Sequence, residues 1–217
     1  MRTSMWMAAA GLMVSAATAT AAPFQNGGFE AGTLNNPASF DSLAPGSTAI
    51  TGWTVVGDGI DYIGAFWAAA EGSRSLDTLS CGTSGGVSQS FDTVPGATYE
   101  VGFSLAGNPD GGVKTLSASA AGTTANFTFD TAGSSLVNMG WAAHTFNFTA
   151  SAASTTLTFL GGVQGGGSSC ASAALDNVSV TLRSTPTPAP VPVGGGLGGA
   201  ALLAGAAAWA LRRRRGS

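Results

Sequence analysis

The sequence predicts an all-β fold of the sandwich type, and three observations predict it. Short segments with alternating apolar and polar residues recur along the middle of the chain. Gly, Asn, Asp, Ser and Pro separate them, and no stretch of the middle sustains a 3.6-residue apolar period. Many short strands at near-regular spacing form the pattern of a sandwich.

The segments follow in order. Ile50 to Val56 is β-branched and aromatic, and Ile60 to Ile63 is a short second strand. Gly86 to Phe91 places Val87, Gln89 and Phe91 on one face, and Thr98 to Leu105 does so with Tyr99, Val101, Phe103 and Leu105. Asn126 to Asp130, Trp141 to Thr149 and Thr155 to Leu160 carry the pairs Phe127/Phe129, Phe146/Phe148 and Leu157/Phe159. Leu175 to Leu182 aligns Val178, Val180 and Leu182. Ala65 to Gly72 suits one short helical turn, and residues 165–169 form a Gly/Ser loop. The chain has no internal repeat.

The two ends read as targeting segments. Residues 1–22 open with Arg2, continue through an apolar run from Met5 to Val14 and close on Ala19-Thr20-Ala21-Ala22. This is the layout of a secretory signal peptide, with an apolar run too short to span a bilayer. Residues 184–192 alternate Pro186, Pro188, Pro190 and Pro192, which favours an extended spacer. Residues 193–211 are uncharged and Arg212 to Arg215 follow at once. At 1.5 Å per residue that run covers about 28 Å, enough to cross a membrane with its arginines in the cytoplasm. The expected organisation is signal peptide 1–22, sandwich domain 23–183, spacer 184–192 and membrane tail 193–217. The expected location is the cell envelope, the cell surface or the extracellular space.

Charge narrows the partners. Between residues 23 and 192 stand three basic residues, Arg74, Lys114 and Arg183, and all eleven acidic ones, a net charge of −8 against −3 for the whole chain. A domain without clustered cations is a poor nucleic-acid ligand. Cys81 and Cys170 are the only cysteines. In an oxidising compartment they most simply form one disulfide, worth roughly 4 kcal/mol by loop-closure entropy, with two free thiols as the alternative. A zinc site is poorly supported, because there is one histidine and no close cysteine pair.

An ordered series of motifs carries a family resemblance. It runs Asn26-Gly27-Gly28-Phe29-Glu30, Ile50-Thr51-Gly52-Trp53, Ile60-Asp61-Tyr62-Ile63-Gly64 and Gly72-Ser73-Arg74-Ser75-Leu76-Asp77. It continues through Ser88 to Phe91, Pro95 to Tyr99 and Phe103 to Asn108, and closes on Leu175-Asp176-Asn177-Val178. The chain resembles the choice-of-anchor C family of exported bacterial proteins. It is similar, more distantly, to the plant cell-wall family called domain of unknown function 642 and to galactose-binding-like modules. The resemblance implies a jelly-roll β-sandwich. The tail resembles the sorting signals cut by exosortase-type transpeptidases (PEP-CTERM signals), with Ala189-Pro190-Val191-Pro192 in place of Pro-Glu-Pro.

The resemblance also implies one structural calcium ion, held by Glu30 and Asp176 with help from backbone oxygens near Asn26. Calcium takes six to eight oxygens, so two carboxylates need further ligands. The competing role for both acids is turn capping through backbone N–H groups. Sugar rings stack on exposed aromatics, and Trp53, Tyr62, Phe66, Trp67 and Trp141 are the candidates. Trp53 belongs by its apolar surroundings to the core. Tyr62 and Trp67 flank a Gly-containing loop and are the better platforms, with Asp58, Asp61 and Arg74 placed to bond hydroxyls.

Catalytic signals are weak. Gly82-Thr83-Ser84-Gly85-Gly86 matches the nucleophile-elbow string, but a strand follows where that motif needs a helix. His144, the one histidine, sits mid-strand, and Asp58 and Asp61 do not define a glycosidase pair by sequence proximity. Gly194, Gly196 and Gly199 match a dinucleotide string inside the apolar tail, where it has no meaning. The sequence therefore points to a non-catalytic surface or matrix module that binds polysaccharide. A structural matrix protein without a small ligand and a polysaccharide-degrading enzyme are the alternatives.

Overall fold

Eleven strands build two antiparallel sheets in the computed structural model, which describes residues 22–164 and 170–186. They are β1 (Phe40–Leu43), β2 (Thr54–Gly57), β3 (Ile60–Ile63), β4 (Ser75–Asp77), β5 (Ser84–Asp92), β6 (Thr98–Gly107), β7 (Val113–Ala120), β8 (Thr123–Asp130), β9 (Ala142–Thr149), β10 (Ser154–Gln164) and β11 (Ala173–Ser184). The expected signal peptide up to residue 21, the expected loop at 165–169, the expected spacer beyond Pro186 and the expected 193–217 tail lie outside the described residues.

One sheet has six strands in the order β1-β3-β4-β11-β6-β9, and the other has five in the order β2-β5-β10-β7-β8. From β4 onward the chain changes sheet at every connection except the β7–β8 hairpin. That path is a jelly roll.

Alternation explains the strands. In β6 Tyr99, Val101, Phe103 and Leu105 point inward while Glu100, Gly102 and Ser104 point out. In β10 Thr155, Leu157, Phe159 and Gly161 face in. Inward residues of both sheets interleave in one core, with Val87, Phe91, Leu116 and Phe159 from the five-stranded sheet meeting Ile60, Leu76, Val101 and Leu175 from the six-stranded one. Each such side chain stabilises the fold by about 2 kcal/mol. Gly86 is needed because β10 comes too close for a side chain, and a Cβ there would lie 1.9 Å from the Phe159 carbonyl oxygen.

Two details differ from the pattern. Ala65 to Gly72 is a run of turns and bends, and no helix is present among the described residues. The N–H groups of Ala70 and Glu71 bond the Asp176 side chain, and that of Ser73 bonds Glu30, so they are not available to a helical ladder. In β11 a shift in register falls between Asp176 and Ser179, with Asn177 at φ 50°. It leaves Val178 buried and Leu182 exposed on a segment whose apolar residues alternate evenly. Cys81 and Cys170 are joined in a disulfide spanning 89 residues.

Candidate functional site

The outer faces of the two sheets are unlike. On the six-stranded sheet, Ile63, Ala106 and Ala174 point away from the main core and form a second one with Trp67 and Met139. Phe40, Phe66 and Trp141 pack against it. The loops that follow β3 and β8 supply this cover. They are tied together where Ala68 N–H donates to the Leu136 carbonyl at 2.8 Å and Trp141 Nε1–H donates to the Ala68 carbonyl at 2.9 Å.

Burial corrects the aromatic assignment, of Trp67 under this cover and of Tyr62 in the main core. Trp67 is 4% exposed, with Nε1–H donating to Ser75 Oγ at 2.8 Å, and Tyr62 is 0% exposed, with its hydroxyl donating to the Phe29 carbonyl at 2.5 Å. Neither presents a ring face to a sugar. Apolar area near a sheet face seals that face before it serves a ligand, because burial is worth more than exposure. Arg74 lies over the Tyr62 ring, with its guanidinium carbon 5.5 Å from the centroid, and its Nη1 is buried without a hydrogen-bond partner.

Asp61 is turned away from any sugar as well. It is 8% exposed, accepts from Ser42 Oγ at 2.6 Å and pairs in register with Asp77 of β4. Asp77 is 1% exposed. Burial pushes its carboxyl up to about 7, against donation from Asn108 and the Ser172 and Leu79 amides, and the nearby Asp61 charge adds to the rise. Burial also raises Asp61, and the Ser42 bond opposes it. Asp58 stands apart, held below the usual carboxylate range by the N–H groups of Thr83 and Ser84 and the Thr83 hydroxyl.

Glu30 and Asp176 grip opposite ends of one loop. Glu30 Oε1 accepts from the Ser73 and Arg74 N–H groups at 2.7 and 2.8 Å, and Oε2 accepts from Ser73 Oγ at 2.9 Å. Asp176 Oδ2 accepts from Ala70 and Glu71 N–H at 2.8 and 3.0 Å, and Oδ1 from Asn177 N–H at 2.6 Å. Burial raises Asp176 to about 6 despite these bonds. Asn26 turns its side chain to Ala31 and Thr51 instead. N–H donors thus surround both carboxylates, a donor set suited to turn capping and not to calcium, which is held by oxygens. Among the described residues no three His, Cys, Asp or Glu side chains gather closely enough to hold a metal ion.

The five-stranded sheet leaves its outer face open. Cross-strand register sets Thr54, Ser88, Thr158, Ser119 and Thr124 in one row across all five strands. None of these five hydroxyls has a protein partner among the described residues. A second row runs Ser84, Gly162, Thr115, Thr128, and a third carries Leu160, Ser117 and Asn126. Toward the Ser84 end the face sinks into a groove of about 550 Å³. Thr83, Ser84, Thr115, Ser117, Asn126 and Thr128 line it, together with Leu116, Phe127, Leu160, Gly161 and Gly162. Apart from Asp92 and Asp130 at strand ends, no outward position of this sheet carries a charge or an aromatic ring among the described residues.

The sequence reading missed this surface although the signal was present. Ser or Thr stands at alternate positions in 88–90, 115–119, 154–158 and, with Asn126, 124–128. Period-2 patterns have a polar phase as well as an apolar one. Ser84 opens β5 with no helix after it, and His144 packs against the rings of Phe103 and Phe127.

Comparison with known proteins adds carbohydrate-binding modules as structural neighbours. The CBM22-1 xylan-binding domain of Xyn10C from Paenibacillus barcinonensis shares 18% identity at a TM-score of 0.44, covering 72% of this chain and 98% of that one. CBM35 from the same organism shares 19% at 0.43, covering 65% and 98%. TmCBM61 in complex with β-1,4-galactotriose shares 18% at 0.43, covering 74% and 97%. In sequence, halomucin of Haloquadratum walsbyi is 33% identical over 165 residues, which are 75% of this chain and 2% of that much longer protein. The family described as protein of unknown function (DUF642) matches residues 22–181, and the chain belongs to it.

Proposed function

We propose that this is a non-catalytic, exported surface or matrix protein that binds a neutral polysaccharide in the groove of the five-stranded sheet. The observation that carries this reading is the uncharged groove on an open face, where Thr83, Ser84, Thr115, Ser117, Asn126 and Thr128 stand among apolar neighbours. Hydroxyl and amide groups donate and accept freely, matching the hydroxyls of an uncharged glycan. An acidic domain lacking cations on that face disfavours polyanionic chains. The groove crosses four strands, so at about 4.8 Å between neighbours it is about 14 Å long, the length of a short oligosaccharide. The one ring in the lining, Phe127, packs inward on Phe103 and His144, so the groove has no stacking platform and the binding is weak and gains from multivalent display.

Export rests on the signal-peptide pattern of residues 1–22. Retention rests on the 193–211 apolar run with its Arg cluster, in the manner of a choice-of-anchor C protein sorted by an exosortase-type enzyme. Affinity electrophoresis through gels of neutral glucan, xylan, galactan and alginate tests the binding. We expect retardation by a neutral polymer and at least tenfold weakening in Asn126→Ala/Thr128→Ala. Binding unchanged in that variant, or retardation by alginate alone, would refute the assignment. A purely structural protein is not retarded by any of them.

A further inference from the structure

A jelly roll has four free sheet edges, and here they differ sharply from one side to the other. On one flank the edges are β1 and β2, each four residues long, with Pro37 and Pro45 around β1 and Gly52 and Gly57 around β2. Short length, proline and strand-end glycine are ordinary guards against pairing with another chain. On the other flank the edges are β8 and β9, eight residues each. Neither contains Lys, Arg, Pro or Gly, and Asp130 at the end of β8 is the one acid. The Phe127 ring of β8 lies 5.2 Å from the His144 ring of β9, so the two edges run side by side.

We infer that β9 is an assembly edge and that its partner is β9 of a second copy, paired antiparallel across a twofold axis. The strand is held straight by eight consecutive register pairs with β6, from Leu105↔Ala142 to Thr98↔Thr149, without a bulge. Phe146 and Phe148 anchor it in the core. Among the described residues no strand pairs with its other side, which therefore offers a rigid row of N–H and C=O groups, the template on which an edge strand adds another. The domain is acidic overall, with eleven acids against three bases between residues 23 and 192, so two copies repel over most approaches. The Ala142–Thr149 edge carries no acid or base besides His144, so it is an approach without that repulsion. Ala143, Thr145, Asn147 and Thr149 point outward and are exposed, and across the twofold they would meet residues of the same small, polar kind. Pairing of this kind makes one continuous sheet from two six-stranded sheets. It leaves the groove of the five-stranded sheet open on both copies, so each assembly displays two sites.

Sedimentation velocity of the full chain over a micromolar concentration range tests the joint, with amide hydrogen exchange as the local readout. The wild type should pass from monomer to dimer as concentration rises, with β9 amides gaining protection. Thr145→Lys/Asn147→Lys puts like charges face to face across the axis without touching the β6 pairing, and should weaken association at least tenfold. Thr54→Lys, on the short edge of the opposite flank, should associate as the wild type does. A wild type that stays monomeric, a β9 double variant that associates unchanged, or protection gained elsewhere than β9 each overturns the inference.

Discussion

The two outer faces of this sandwich received similar strands and met opposite fates. The six-stranded sheet turns Ile63, Ala106 and Ala174 outward, and two loops bring Trp67, Met139 and Trp141 to cover them. The five-stranded sheet turns Ser, Thr and Asn outward, and nothing among the described residues covers them. A face with outward apolar residues is stabilised by acquiring a lid, and a face of hydroxyls is already satisfied by water. The lid takes Trp67 and the main core takes Tyr62, so neither is left as a sugar platform. The proposed recognition falls to the face from which no ring points outward.

Substitutions on the lid should therefore act on stability, and substitutions on the open face on binding. The largest effect is expected for Trp67→Ala. It empties a buried indole site and leaves the buried Ser75 hydroxyl without its partner. The cost is about 5 kcal/mol, the upper end for a buried aromatic, and thermal unfolding measures it. A loss under about 1 kcal/mol would mean that the lid is not packed and the contrast between the faces fails.

Asp77→Asn, elsewhere in the six-stranded sheet, acts with the opposite sign. The carboxyl is raised from 3.8 to about 7 in the fold, so the folded state holds a proton that the unfolded chain has released at intermediate pH. Stability therefore falls as pH rises from about 4 to about 7 and is level above that window. Three units at about 1.4 kcal/mol each make the neutral-pH penalty about 4 kcal/mol. The amide keeps its acceptor for Ser172 and Leu79 while removing the charge, and a turned Asn108 side chain can accept from it. We expect the variant to be more stable than wild type at pH 7.5 and equal to it near pH 4. A parallel pair of stability–pH curves would show that Asp77 is ionised at little cost in the fold.

How much of this was legible in the sequence follows from which residues hold to one phase. β6 alternates large apolar residues strictly, and β5, β9 and β10 carry the pairs Val87/Phe91, Phe146/Phe148 and Leu157/Phe159 in one phase, so their core positions are plain. β7 was not, because its inward residues are Lys114, Leu116, Ala118 and Ala120, small side chains headed by a cation that reads as surface. Lys114 is buried against Asp110 and the Ala171 carbonyl, a pairing no local pattern announces. β1 and β4 are four and three residues long, too short for a period to show. The site escaped for a different reason. Tyr62 and Trp67 advertise themselves in a sequence, whereas a row such as Ser84, Gly162, Thr115 and Thr128 exists only once four strands are in register. Glu30 and Asp176 were legible as a linked pair, and what links them is the backbone of residues 70–74.

Two smaller substitutions sharpen the contrast. Trp141→Phe keeps most of the ring area but removes the Nε1–H bond to the Ala68 carbonyl that ties the two covering loops. A single hydrogen bond of this kind contributes about 1 kcal/mol, read as a lowered denaturation midpoint at unchanged slope.

Thr158→Ala, at the centre of the five-hydroxyl row, is expected to do least to the fold. Its hydroxyl has no protein partner among the described residues, and Ala removes little buried area from an outward position. The change in stability should stay within about 0.5 kcal/mol, as for surface positions generally. If the variant instead unfolds several degrees earlier, the row is a structural ladder of hydroxyls bonded to one another, as Ser90 and Thr156 are at 2.7 Å. The open face would then hold the fold together just as the covered face does. If stability holds while Asn126→Ala/Thr128→Ala in the groove weakens retardation by a neutral polysaccharide, the two faces are divided as their chemistry implies, one stabilising the domain and the other turned outward to a ligand.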